Sequence, residues 1–359
     1  MAINYPLILP TTPALRTVEF HTGPLAGIAA SPFTGQQQTY EWQREWWQAV
    51  CTLPPMERAA AEDWLAILVD LSSRAGTFLL GDPGGKACRG MAETYAWRAS
   101  VDGGTQSGKT LATVGWNPSG WNPSYPNALK RGDYIQIAKN YITHPRAFDN
   151  ALWAKIQCTI TATNIVAINN LAEAERATPT TGATNAYVSY DAVSYPPRYK
   201  SLSWTFSVWL KAASGTPSIR ICIEALAGGK ATTLCALTTD WQQFSVTFAF
   251  PSIATGLQVY IGGYTPAWVE AMGPIDMWGA SLYSPALDAR LHKSLIHTTT
   301  DYYRQSIVDV WPRLREAPPD FSALVLTDAK GTFRLAAPFT WSLDQLLHYG
   351  ISFSALEAF

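Results

Sequence analysis

Four segments in the middle of the chain alternate apolar and polar residues so regularly that they leave little choice of fold. In WTFSVWLKA (Trp204 to Ala212), Phe206, Val208 and Leu210 share one face while Ser207, Trp209 and Lys211 share the other. SIRICIEAL sets Ile219, Ile221 and Ile223 against Arg220, Cys222 and Glu224. QFSVTFAF sets Phe244, Val246, Phe248 and Phe250 against Gln243, Ser245 and Thr247, and LQVYIGG sets Val259 and Ile261 against Gln258 and Tyr260. Period two is the repeat of an extended strand, whose side chains alternate between faces. Strands with one apolar face each bury it against a second sheet, so this region is expected to be a β-sandwich, with a jelly roll as its form.

The opposite faces mix flat aromatic rings with hydrogen-bonding groups. That mixture suits sugars, whose C–H faces stack on rings while their hydroxyls pair with polar side chains. Trp209, Tyr260, Arg220, Glu224 and Gln258 are therefore the candidate carbohydrate-binding residues. The same faces equally suit packing against a neighbouring subunit or loop, and the sequence leaves both readings open. Trp278 in IDMWGASLY, with Ala280 and Leu282, reads as core.

On either side of this region the chain is also β-rich, with one exception. LPPMERAAAEDWLAILVDLSSRAG has prolines before its first turn and Gly76 after its last, and Trp64, Ile67, Leu68 and Leu71 make one apolar stripe at helical spacing. VEFHTG, QQQTYEW, TFLLGDP, ETYAWRASVDGG, GDYIQIA, IVDVWPRL, GTFRLAAPFTWSL and YGISFSALEAF read as strands, and WNPSGWNPSYPN as a Pro/Gly/Asn loop.

Composition narrows the function classes. Charged residues are 15% of the chain, against a typical value of about 25%, and the net charge is −1. No basic stripe exists, so a nucleic-acid partner lacks its electrostatic footprint. The five cysteines are odd in number and form no C-x-x-C pair, which fits a reducing compartment and neither a disulfide framework nor a zinc site. No apolar run reaches the ~20 residues of a membrane-spanning helix, and no signal peptide is expected at the start.

One motif is misleading. GGTQSGKT (Gly103 to Thr110) matches G-x-x-x-x-G-K-[ST], the pattern of a phosphate-cradling loop. That chemistry needs a helix starting at Lys109, whereas Gly115, Pro118 and Gly120 interrupt the stretch that follows. A hairpin turn is the expected structure. The histidines are scattered, no G-x-S-x-G is present, and the one carboxylate pair worth testing is Glu224 with Asp276. No catalytic residue, metal ligand or cofactor is expected.

The flanks then resemble a known family. SPFTGQQQTYEWQREWWQAVCTLPPMERAAAEDWLAILVDLSSRAGTFLLGDPGG (Ser31 to Gly85) is similar along its length to the distal tail proteins of long-tailed bacteriophages. LKRGDYIQI, ARLHK, VDVWPRLREAPPD and KGTFRLA resemble later blocks of that family in the same order. One departure is Cys88, where the pattern usually has a proline. The middle region is similar to the carbohydrate-binding-like modules such proteins often carry. The resemblance implies a discontinuous, mainly β core domain with one packed helix (residues 1–139 and 286–359), interrupted by a carbohydrate-binding-like sandwich (residues 140–285). It further implies a virion protein of the tail tip, assembled in the bacterial cytoplasm as a ring, a homohexamer, between tail tube protein and tip hub protein. Host-surface polysaccharide would be its external partner. The aromatics of YEWQREWW and the final strand are the expected ring contacts. The competing reading is a lectin or glycosidase-like enzyme for which the flanks are only a scaffold.

Overall fold

The computed structural model of the chain describes residues 5–22, 26–41, 45–71, 75–89, 99–116, 129–194, 202–263, 273–284, 296–299 and 307–358. ARLHK, most of the ETYAWRA segment and nearly all of the WNPSGWNPSYPN loop lie outside these residues.

The first part of the chain contributes β1 (Leu7–Ile8), β2 (Thr17–Thr22), β3 (Ala26–Ala30), β4 (Gln37–Glu41), β5 (Trp47–Thr52), α1 (Arg58–Leu71), β6 (Phe78–Leu80), β7 (Ser100–Val101), β8 (Gly108–Val114) and β9 (Tyr134–Ala138). The middle contributes β10 (Trp153–Ile156), β11 (Cys158–Val166), β12 (Ala172–Pro179), β13 (Tyr187–Ser194), β14 (Ser203–Ala212), β15 (Ser218–Leu226), β16 (Gly229–Ala236), β17 (Gln242–Ala249), β18 (Gly256–Gly262) and β19 (Ile275–Tyr283). The last part adds β20 (Ile296–Thr298), β21 (Ile307–Leu314), β22 (Ala323–Val325), β23 (Gly331–Leu335), β24 (Thr340–Leu343) and β25 (Tyr349–Glu357). The described residues are therefore mainly β with one packed helix, as the residue patterns require.

The flanking strands interleave. A seven-stranded sheet runs β1-β6-β23-β25-β5-β2, with β24 also on β25. Helix α1 buries Ala61, Trp64, Leu68 and Leu71 in the core below this sheet, and the Trp64 ring lies 6.4 Å from that of Phe353. A closed barrel, β20-β21-β8-β7-β22-β9, buries Val101, Leu111, Ile135, Ile137, Val308 and Val310. The two cores meet where Trp311 and Tyr134 of the barrel pack on Trp47 of the sheet, with Trp47 and Trp311 edge to face at 4.5 Å. The flanks thus form two hydrophobic clusters in contact.

In the middle region the strands form two five-stranded sheets, β10-β13-β18-β15-β16 and β11-β12-β19-β14-β17. Phe206, Val208, Leu210, Ile219, Ile221, Ile223, Val246, Phe250, Val259 and Ile261 all lie in the core between them. The inner faces assigned by parity thus all pack on this core, with Phe244 and Phe248 of β17 only partly buried, and the jelly-roll-like sandwich exists. Its two ends lie together. β9 before it pairs with β20 after it (Ile135 opposite Ile296), and the amide of Tyr141 donates to the Leu282 carbonyl at 2.9 Å.

Two expected ring contacts are not on the surface. Trp47 is buried. β25 is a central strand, bonded to β23 and β24 on one side and β5 on the other, with Ile351, Phe353 and Ala355 in the core. Exposed apolar residues of the flanks gather on the β3–β4 hairpin and around β24, with others scattered at Ile8, Val50, Val69 and Ile307.

Candidate functional site

The strand registers gather four of the five candidate residues on one face of one sheet. On β15 and β18, Glu224 sits opposite Gln258, Cys222 opposite Tyr260, and Arg220 opposite Gly262. β13 extends each row on one side, Asp191 opposite Gln258, Ser189 opposite Tyr260 and Tyr187 opposite Gly262. β16 extends it on the other, with Lys230, Thr232 and Leu234. The result is a grid of four strands at about 4.8 Å spacing, polar at one end (Asp191, Gln258, Glu224, Lys230) and aromatic with Arg220 at the other. The sequence reading missed β13, although YVSYDAVS carries the same alternation, with Val188 and Tyr190 in the core and Tyr187, Ser189 and Asp191 outside.

Within the grid, Tyr260 packs its ring edge-on to Tyr187 at 5.7 Å and its hydroxyl donates to Gln258 Oε1. The ring is only 5% exposed, so Tyr260 is not the open stacking platform expected of it. Glu224 carries a buried oxygen, Oε2, with no hydrogen-bond partner among the described residues. An unsatisfied carboxylate oxygen beside open solvent-facing groups is a ready acceptor for a ligand hydroxyl or N–H. Burial, with the neighbouring Glu224 charge, pushes the Cys222 thiol up to about 12, so it stays protonated and serves as a small apolar filler.

Trp209 is the clear correction. It belongs to the other sheet and is 1% exposed, in a cluster with Val114, Ala167, Ala174, Trp278 and Phe321. Parity placed it rightly on an outer face, but the flanking domain covers that face through Val114 of the barrel and Phe321. Trp278 is buried as expected, yet it faces this same seam. A bulge at Gly279 (φ +63) turns it away from the sandwich core, which keeps Ala280 and Leu282. A Cβ on Gly279 would stand 2.2 Å from the Phe321 ring, so only glycine admits that ring so closely.

Polar groups finish the seam. Arg146 bonds both carboxylate oxygens of Asp320 (2.7 and 2.9 Å) and also reaches Asp102 and Glu173 at 2.5 Å each. Its guanidinium lies over the Phe321 and Trp278 rings, 4.9 and 5.5 Å from their centroids. Burial opposes its charge, but the bonds to Asp320, Asp102 and Glu173 outweigh that and raise its pKa above the ordinary value. Asn140 donates to the carbonyls of Ala280 and Asp320 and accepts from the amides of Ile142 and Leu282, tying both ends of the sandwich to the flank. Because one sheet is docked in this way, the grid on the opposite sheet points away from the flanking domain.

The other chemical candidates separate. Glu224 and Asp276 lie on different sheets, and Asp276 is bonded by Arg176 at 2.6 Å with Lys211 at 3.7 Å. Gly108 opens a strand and Lys109 pairs with buried Glu45 at 2.7 Å, so the phosphate-loop motif is the β7–β8 hairpin connection. Among the described residues no group of three or more His, Cys, Asp or Glu is arranged to hold a metal ion. No described helix is long and apolar enough to cross a membrane.

No family model matches the chain, and no curated protein matches it. Among solved structures, it is similar to the enzymatically active domain of tailspike protein 4 from bacteriophage CBA120, at 13% identity and TM-score 0.33, over 40% of this chain and 21% of that one. It is also similar to the CBM22-1–GH10 modules of xylanase 10B from Clostridium thermocellum, complexed with xylohexaose (12%, TM-score 0.31, 43% and 29%). A third likeness is to TmCBM61 with β-1,4-galactotriose (11%, TM-score 0.31, 41% and 99%). At scores this low none of them assigns the chain to a family.

Proposed function

We propose that this chain is a structural component of a phage tail tip, forming a ring between tail tube and tip hub, with a sandwich that binds host-surface polysaccharide. The assembly half rests on the ordered blocks of the flanks that resemble distal tail proteins. The observation that carries the adhesive half is the asymmetry of the sandwich. One outer face is sealed against the flank, and the other presents Arg220, Glu224, Gln258, Tyr187 and Asp191 on adjacent strands, facing away from it. With few open rings the affinity of one copy is modest. Several copies at fixed spacing on a ring raise avidity by ~10²–10⁴ without a new contact.

Full-length protein tested on an array of bacterial surface polysaccharides, as oligomer and at low concentration, examines this reading. Arg220→Ala and Glu224→Gln should each lower retention at least tenfold with the fold unchanged. Retention equal to wild type in both variants would remove the grid as the binding face. Absence of the protein from the tail tip of labelled virions would remove the assembly half.

A further inference from the structure

The flanking domain carries two exposed apolar ribbons at opposite ends of the same strands. β2 and β5 run as a pair to Thr22 and Trp47, and beyond that end the chain continues as the hairpin β3–β4, a two-stranded sheet bonded to no other described strand. Its turn is well formed: the Ser31 amide donates to the Gln36 carbonyl at 2.8 Å, Gly35 donates to Ser31, and Gly35 takes a left-handed φ of +69. At its apex Phe33 is 95% exposed, with Ile28 at 66% and Tyr40 at 51%. A two-stranded ribbon is marginal in water without a third strand or a packing surface.

The second ribbon leaves by the other end. β25 is antiparallel to β5, with Leu356 opposite Gln48 and Ser352 opposite Thr52, so Tyr349 and its partner β24 lie past the Thr52 end. There Trp341, Leu343, Leu346 and Leu347 are all more than half exposed. Among the described residues β24 pairs with β25 and with no other strand, which leaves it an edge. Soluble proteins usually guard such edges with charge or proline inside the strand. Here β3 and β24 contain no charged residue, β4 carries one, Glu41, at its end away from the turn, and Pro32 and Pro338 fall outside the strands. The apex of the hairpin, Ser31 to Gln36, carries no charge to repel the β24 edge. Because they project from opposite ends of one strand pair, they meet only between molecules, in the heterologous head-to-tail sense that generates rings.

We infer that the β3–β4 hairpin of one copy adds to the β24 edge of the next, seating Phe33 on the Trp341–Leu343–Leu346–Leu347 surface. This rests on the ring reading above and specifies its contact. The test uses the full chain, with mass photometry for size and circular dichroism for fold. Wild type should form a discrete oligomer. Phe33→Asp and Trp341→Asp should each give folded monomer, and Leu346→Asp repeats the second test at a more exposed site. Mixing Phe33→Asp with Trp341→Asp should give a dimer and nothing larger, since one partner keeps the hairpin and the other the edge. Oligomers unchanged in both variants, or a mixture that stays monomeric, would overturn the contact while the ring stands. A wild type that remains monomeric at all concentrations would overturn both.

Discussion

The outer faces of β14 and β15 look alike as sequence, Ser207, Trp209 and Lys211 against Arg220, Cys222 and Glu224, and they meet opposite ends. Trp209 is sealed against Phe321, while Arg220 and Glu224 keep contact with solvent. Alternation fixes which side of a sheet a residue occupies, and nothing within a strand says what lies on that side. The covering groups come from far away in the chain, Val114 on β8 and Phe321 after the barrel strand β21. An aromatic on an outer face is thus an equal candidate for a ligand platform and for a docking plug. What separates them here is a glycine bulge opposite an incoming ring.

The comparison breaks most easily at Trp209. Trp209→Ala in the full chain should lower stability by about 3–5 kcal/mol, the usual cost of emptying a large buried aromatic site, read by denaturant unfolding. A loss under 1 kcal/mol would mean that the seam is not packed as described. Arg146→Gln should cost about 1–3 kcal/mol, because it leaves Asp102, Glu173 and Asp320 crowded together without their shared cation. High salt should partly rescue that variant and leave Trp209→Ala unrescued.

A smaller effect follows pH. Burial, together with the nearby Asp149 charge, lifts the Glu175 carboxyl from its ordinary 4.5 to about 7, despite a 2.9 Å bond from the Asp149 amide. Between those values the native state holds a proton that the unfolded state has lost. Stability should therefore fall as pH rises from about 4.5 through 7. Glu175→Gln should flatten that slope in thermal melts, and an unchanged slope would assign it to other groups. The smallest effect belongs to the open face, where Glu224→Gln should stay within ~0.5 kcal/mol of wild type while glycan retention drops. Glu224→Gln destabilising as much as Trp209→Ala would mean that both faces are sealed.

The residue pattern by itself determined four strands of the sandwich (β14, β15, β17 and β18) with their inner faces, helix α1 and the failure of GGTQSGKT as a phosphate loop. Each depends on local geometry: the period of two, the period of 3.6, and the positions of glycine and proline. It also marked the outer-face candidates, and registers then brought Arg220, Glu224, Gln258 and Tyr260 together. It could not separate Trp209 from them, because strand order assigns β14 and β15 to different sheets. Nor could it see that Tyr187 shields Tyr260, that Trp47 is core, or that β25 is central. Those depend on long-range pairing and on which surface a distant loop covers. The tertiary structure alone decided which of two similar faces was left open, because burial of a sheet's second face is set by the arrival of another part of the chain.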